Sequence, residues 1–177
     1  LGERVLVEFV SANPTGSLSV AHARQAAVGD CLANIMNFLG FKVKREYYLN
    51  DEGNQINILG NSIRLRACES LGETIEFPED YYQGEYIKDM ARVFMEENKL
   101  TVLQQVKNVD SKKWAEFGAH YLLDVIKKEL DDFGVHFDVW AYQSKIATQK
   151  NIEVVLDDLR EKGFLYEKDG ALWFQST

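Results

Sequence analysis

The run Val5-Leu6-Val7-Glu8-Phe9-Val10 passes through Ser11-Ala12-Asn13-Pro14-Thr15-Gly16-Ser17-Leu18-Ser19 straight into a helical pattern. A strand, a turn rich in Asn, Pro and Gly, and then a helix start leave little choice of local fold. Free backbone N–H groups and the positive end of the helix dipole both point out of such a turn, which is how proteins cradle phosphate. A nucleotide site at this corner is the first expectation.

The residues that follow extend the unit. Val28, Leu32, Ile35, Met36 and Leu39 recur at helical spacing and form an apolar stripe that Gly40 brings to a stop. Lys42-Val43-Lys44-Arg45-Glu46-Tyr47-Tyr48-Leu49 is a second strand, ending at Asn50-Asp51-Glu52-Gly53. Strand, helix, strand is a βαβ unit and implies a parallel sheet with a right-handed crossover. Ligands of such sheets bind beyond the carboxyl ends of the strands. Both polar turns fall there and should face one ligand, with Asn50 or Asp51 as the N-cap of the next helix.

From Asn54 the pattern is mainly helical. Helices are expected around Ile56–Ala67, over Tyr86–Asn98, between Ser111 and Phe133, and over Asn151–Lys162. Strands Phe164–Glu167 and Ala171–Phe174 flank Lys168-Asp169-Gly170, a strong hairpin signal. Trp114, Phe117 and Tyr121 form a stripe that belongs to a core rather than to a base-stacking platform. His120 and His136 have no partners at metal-ligand spacing. Tyr81-Tyr82 and Lys112-Lys113 are better explained as a loop and a solvated helix start than as RNA contacts.

Composition narrows the class. The net charge of −8 over 177 residues excludes a broad nucleic-acid-binding surface. Residues 1–62 hold five Lys/Arg against six Asp/Glu, so the acidic excess lies away from the turn. No apolar run approaches the ~18 residues of a membrane span. The N-terminus carries no signal-peptide pattern, and Cys31 and Cys68 fit buried, reduced thiols, so a cytoplasmic protein is expected. The first residue is Leu, and a piece of a longer protein is expected.

Several segments together resemble the catalytic-domain start of bacterial arginyl-tRNA synthetases, which are class I aminoacyl-tRNA synthetases. They are Val7-Glu8-Phe9, Ser11-Ala12-Asn13-Pro14-Thr15-Gly16, Arg45-Glu46-Tyr47-Tyr48-Leu49-Asn50-Asp51, Gly53-Asn54-Gln55-Ile56, Phe137-Asp138-Val139-Trp140 and Lys168-Asp169-Gly170-Ala171-Leu172-Trp173-Phe174. The resemblance implies an α/β fold: the first half of a Rossmann-like parallel sheet over residues 1–62, and a mostly helical connective insertion over 63–177 ending in a β-hairpin.

The family's His-x-Gly-His signature falls on Ser19-Val20-Ala21-His22, which keeps only the last histidine. The resemblance makes His22 and Ser19 the catalytic phosphate contacts, with Gly16 and Ala21 completing the nucleotide site. Ser19 is equally a preferred helix N-cap. An imidazole at position 19 could donate a charged hydrogen bond worth about 1.5–3 kcal/mol; the Ser19 hydroxyl retains a donor. Ala21 adds a methyl group where adenine would lie. Arg24 is either a solvated cation or a helper. The same resemblance assigns Glu8 to the substrate guanidinium, Asn13 to the amino-acid head and Gln55 to the same pocket. A carboxylate facing a planar guanidinium suits discrimination against lysine.

The activity implied is ATP-dependent formation of arginyl-adenylate and transfer of the arginyl group to tRNA(Arg). Mg2+ would accompany ATP, and the complete enzyme would be a monomer with no membrane association. No Lys-Met-Ser-Lys-Ser-like loop occurs in the chain, so the 177 residues alone are expected not to charge tRNA. Two rivals stand beside this reading: a non-catalytic arginine- or nucleotide-binding paralogue, and another adenylyl-transferring protein of the His-x-Gly-His superfamily.

Overall fold

The structure, a computed structural model, describes residues 2–176. It divides into two compact units, one running through Tyr142 and the other beginning at Gln143. The first contains β1 (Arg4–Glu8), α1 (Val20–Phe38), β2 (Lys42–Leu49), α2 (Asn54–Ser70), α3 (Glu85–Glu97), α4 (Leu103–Asn108), α5 (Ser111–Asp132) and β3 (Val139–Tyr142).

The expected βαβ unit is present, with β1 and β2 parallel and Arg4 opposite Lys42 through Glu8 opposite Glu46. A third strand, β3, pairs parallel to β2 with Glu46 opposite Val139, giving the order β1-β2-β3. Sequence periodicity missed it, because four residues carry too little pattern. The segment from 63 onward therefore returns to the sheet before leaving the first unit, and α2 runs unbroken through residue 62.

Strand alternation sends Arg45, Tyr47 and Leu49 to one face, where α1 and α5 cover them. Tyr47 and Leu49 cluster there with Ala26 of α1 and with Leu123, Ile126 and Leu130 of α5. Tyr47 stacks on Trp140 at 4.6 Å between centroids, and Phe9 meets Phe137 at 4.5 Å. The Arg45 guanidinium ties β2 to α1 through Asp30 (2.8 Å) and Asn34 (2.7 Å).

The inner face of α1 is not the apolar stripe expected from sequence. Ala26, Gly29 and Ala33 are buried, while Val28, Leu32, Ile35 and Leu39 are exposed. Close packing explains the choice: a Cβ on Gly29 would lie 2.2 Å from Cγ of Phe9, so only small residues let α1 reach the sheet. Of the two cysteines, both free, Cys68 is buried as expected but Cys31 is exposed on α1.

Helices α2 to α5 form a second core. Leu59, Ile63 and Ala67 of α2 meet Ile87, Met90 and Phe94 of α3, Val106 of α4, and Trp114 and Leu122 of α5. Phe94 and Trp114 lie 3.9 Å apart between ring centroids. At the α2–α5 crossing a Cβ on Gly60 would be 2.5 Å from the Ala115 nitrogen. The buried Ser62 hydroxyl donates to Ile58 O and accepts the Tyr82 N–H, fastening the loop before α3. Tyr82 thus belongs to this packing, while Lys112 and Lys113 are exposed at the start of α5.

The second unit contains α6 (Gln143–Ile146), α7 (Gln149–Glu161), β4 (Leu165–Lys168) and β5 (Ala171–Phe174). β4 and β5 pair antiparallel around Asp169 (φ 54°) and Gly170 (φ 74°), the two left-handed residues that the Asp-Gly signal calls for. Among the described residues no helix is long and apolar enough to cross a membrane.

Candidate active site

The corner after β1 is built from strained backbone. Val10 and Ser11 take φ of 65° and 43°, which ends the strand at Glu8 two residues before its apolar pattern stops. A left-handed conformation costs a β-branched residue about 1–3 kcal/mol, so neighbouring contacts must hold it. Ser11 supplies one: its hydroxyl donates to Glu8 Oε1 and accepts the Tyr48 N–H at 3.0 Å. The Ser11 contact thus holds the Glu8 carboxylate towards the loop that follows β1, and Oε2 has no hydrogen-bond partner among the described residues.

The turn after β1 reaches the helix that follows the second polar turn. Asn13 Nδ2 donates to Gln55 Oε1 at 2.6 Å, across 42 positions. Gln55 is presented by the first turn of α2, whose N-cap is Gly53 at φ 94°, not Asn50 or Asp51. The Asn50 Oδ1 atom at the end of β2 is buried without a hydrogen-bond partner among the described residues. The bond between the two amides leaves Asn13 Oδ1 as an acceptor and Gln55 Nε2 as a donor, a complementary pair.

Helix α1 begins at its N-cap Ser19. His22 Nδ1 accepts the Ser19 backbone N–H at 3.0 Å and lies 3.2 Å from the Ser19 hydroxyl. A ring nitrogen that accepts carries no proton, so the neutral imidazole holds its proton on Nε2 and presents that nitrogen as a donor. Ser19 and Ala21 are exposed, Gly16 is half-buried, and all lie on the loop or first turn that opens α1. Arg24 lines one cleft, about 530 Å3, with Glu8 and Ser11. A larger groove, about 750 Å3, runs beside α2 and α3 and contains none of the expected site residues.

Three side chains to which the sequence assigns no role in the site fasten the loop. The Tyr47 hydroxyl donates to Ala12 O (2.9 Å), the Tyr86 hydroxyl to Thr15 O (2.8 Å), and Glu129 Oε2 accepts the Leu18 N–H (2.9 Å). Burial pushes both phenols above their ordinary range, Tyr47 furthest. These contacts span 35, 71 and 111 positions, and no local signal could have revealed them. The remaining histidines stand apart. His120 Nδ1 is 2.7 Å from Glu116 O, His136 makes a surface pair with Asp131, and no metal-binding cluster exists among the described residues.

The model of the class I tRNA synthetase (R) catalytic domain matches residues 2–175. The chain belongs to that family. Among similar proteins, an arginine–tRNA ligase of Bacillus pumilus is 46% identical over 176 residues, covering 99% of this chain and 32% of that protein. The corresponding ligase of Bacillus subtilis is also 46% identical, with the same coverage. A solved structure described as an arginyl-tRNA synthetase from Campylobacter jejuni superposes with a TM-score of 0.81 at 36% identity, covering 98% of this chain and 38% of that one. The Thermus thermophilus arginyl-tRNA synthetase shares the fold at a TM-score of 0.58 and 22% identity, covering 97% and 29%. The chain thus spans about a third of the length of these synthetases.

Proposed function

We propose that this chain supplies the amino-terminal part of the active site of an arginine–tRNA ligase. The observation that carries the reading is the meeting of Asn13 with Gln55 beside a Glu8 carboxylate that Ser11 aims at the same sheet end. An α-amino acid has a cationic and an anionic head group. Asn13 Oδ1 suits the ammonium and Gln55 Nε2 suits the carboxylate. Glu8, whose Oε2 has no partner among the described residues, suits a guanidinium side chain.

ATP then binds where the loop opens α1. His22 Nε2–H and the Ser19 hydroxyl are the donors nearest the helix start, and they can follow charge onto the phosphate oxygens as the arginine carboxylate attacks the α-phosphorus. The bond from the α-phosphorus to the oxygen bridging the β-phosphate breaks, and pyrophosphate leaves with its electron pair, giving arginyl-adenylate. The terminal adenosine of tRNA(Arg) then takes the arginyl group and releases AMP. No protein nucleophile takes part, so positioning and charge stabilisation carry the rate. Gly16 and Ala21 border the nucleotide, and Mg2+ arrives with the triphosphate. The resemblance supports the remaining assignments, a monomer in the cytoplasm. The relatives' common name favours neither a non-catalytic module nor another adenylyl-transferring protein. Because the chain spans 32% of their length, we further propose that it does not charge tRNA by itself.

The test is Glu8→Gln in the complete polypeptide that carries this sequence. Losing one charged hydrogen bond should raise the arginine KM about 10- to 150-fold, with the ATP KM within about twofold. An unchanged arginine KM would remove Glu8 from the pocket and the arginine reading with it.

A further inference from the structure

The loop between β1 and α1 is held largely from outside. Its internal backbone bonds close two short turns, Ser11 N–H to Phe9 O at 3.0 Å and Thr15 N–H to Asn13 O at 2.8 Å. At its apex the Thr15 carbonyl is taken by the Tyr86 hydroxyl at 2.8 Å. A peptide unit is planar and trans, so the Thr15 C=O and the Gly16 N–H point in opposite directions. Fixing that carbonyl towards α3 therefore fixes the Gly16 N–H away from α3. Gly16 has no Cβ to resist rotation, and the unit would otherwise turn at little cost.

The segment that delivers Tyr86 is shaped for this contact. Gly84 is the N-cap of α3, and a Cβ placed on it would lie 2.6 Å from Cε1 and 2.7 Å from Cδ1 of Tyr86. The ring therefore folds back across the helix start, through space that any other residue at position 84 would occupy. Its hydroxyl also rests against Gly16, where a Cβ would stand 3.7 Å away. Burial keeps that phenol protonated, so it remains a donor throughout the neutral range.

We propose that Tyr86 is a positioning residue for the nucleotide corner, setting the Gly16 amide through the Thr15 carbonyl, with Gly84 as the seat of its ring. This rests on the nucleotide reading above, and it makes the start of α3 an input to the ATP site although it touches no substrate. Gly84-Glu85-Tyr86 then has a function that its place between two helices does not suggest.

Tyr86→Phe removes the hydroxyl and keeps the ring, and Gly84→Ala displaces the ring and keeps the hydroxyl. Tyr121→Phe, at the edge of the helical core, is the control for losing a phenol elsewhere. In the complete polypeptide, Tyr86→Phe should lower kcat/KM for ATP about 2- to 12-fold, the equivalent of one neutral hydrogen bond. The arginine KM should stay within about twofold. Amide hydrogen exchange at Thr15, whose N–H is bonded to Asn13 O in the same turn, should accelerate by a similar factor in the same protein. Gly84→Ala should repeat both effects, and Tyr121→Phe neither. The proposal is overturned if Tyr86→Phe leaves Thr15 exchange within twofold of the parent, or if ATP and arginine constants worsen together alongside a lowered Tm. A parent protein that does not charge tRNA at all would remove the ligase reading, while the exchange at Thr15 would still decide whether Tyr86 holds the loop.

Discussion

Helices α1 and α5 lie against the same sheet face, yet they present opposite bargains with water. Trp114, Leu122, Leu123, Ile126 and Leu130 of α5 are all buried. In α1 it is Val28, Leu32, Ile35 and Phe38 that are exposed, Phe38 at 92% of its surface, while small residues face inward. Helices α2 to α5 therefore satisfy their own apolar surface. The sheet corner that carries the candidate chemistry does not, and it takes its rigidity from them through Tyr86 and Glu129. Strained backbone at Val10 and Ser11 can persist because a closed helical layer stands beside it.

The largest expected effect tests where stability resides. Trp114 is fully buried between α2, α3 and α5, against Phe94. Trp114→Ala should cost about 3–5 kcal/mol, a large part of the total stability of a domain this size. Trp114→Phe should cost clearly less, because the indole N–H is buried without a partner among the described residues and its loss removes a penalty. Urea unfolding of the two variants measures both. A cost below about 1 kcal/mol for the alanine variant would show that the helical layer is not the reservoir the comparison makes it.

Tyr47 joins the two regions and gives the comparison a pH dependence. It is fully buried in the sheet cluster, and burial raises its phenol well above the ordinary value near 10. A raised folded-state pKa means that stability is present in full below about pH 10. It is lost as pH climbs through the raised value, because only the unfolded chain ionises freely there. Tyr47→Phe should cost about 0.5–1.5 kcal/mol at neutral pH, the worth of its bond to Ala12 O. The alkaline decline should become shallower without vanishing, since Tyr86 is shifted in the same direction. Chemical denaturation between pH 8 and 12 measures the slopes, and parallel curves for parent and variant would contradict the placement of Tyr47.

The same contrast explains what could be read from sequence. Strand β2 was legible to the residue, and the Asp169-Gly170 hairpin to within one, because alternation and turn chemistry are local. Glu8, Asn13 and Gln55 were nameable through the family resemblance, and the βαβ geometry put the residues that follow β1 and β2 at one end of the sheet. Strand β3 and helix α4 were not legible, being four and six residues long. Nor were Tyr47, Tyr86 and Glu129 as supports of the loop, because their partners lie 35 to 111 positions away. In α1 the period was read correctly and the side wrongly. Ala26, Gly29 and Ala33 repeat at the same three- and four-residue spacing as the large residues, so periodicity identifies a helix without saying which face the protein covers.

The smallest expected effect bears most directly on that ambiguity. Leu32 and Ile35 are 47% and 58% exposed, and truncating a half-exposed side chain removes little apolar contact. In the 177-residue chain, Leu32→Ala and Ile35→Ala should each change stability by no more than about 0.5 kcal/mol. The double variant should cost no more than about 1 kcal/mol, because these i,i+3 neighbours touch mainly each other and solvent. A measured cost of about 2 kcal/mol would mean that this face is covered in solution, and a concentration-dependent Tm would then identify a second copy as the cover. Either outcome sharpens the contrast with α5. A face already closed pays for truncation wherever it is measured, whereas an open face pays only after something has been laid over it.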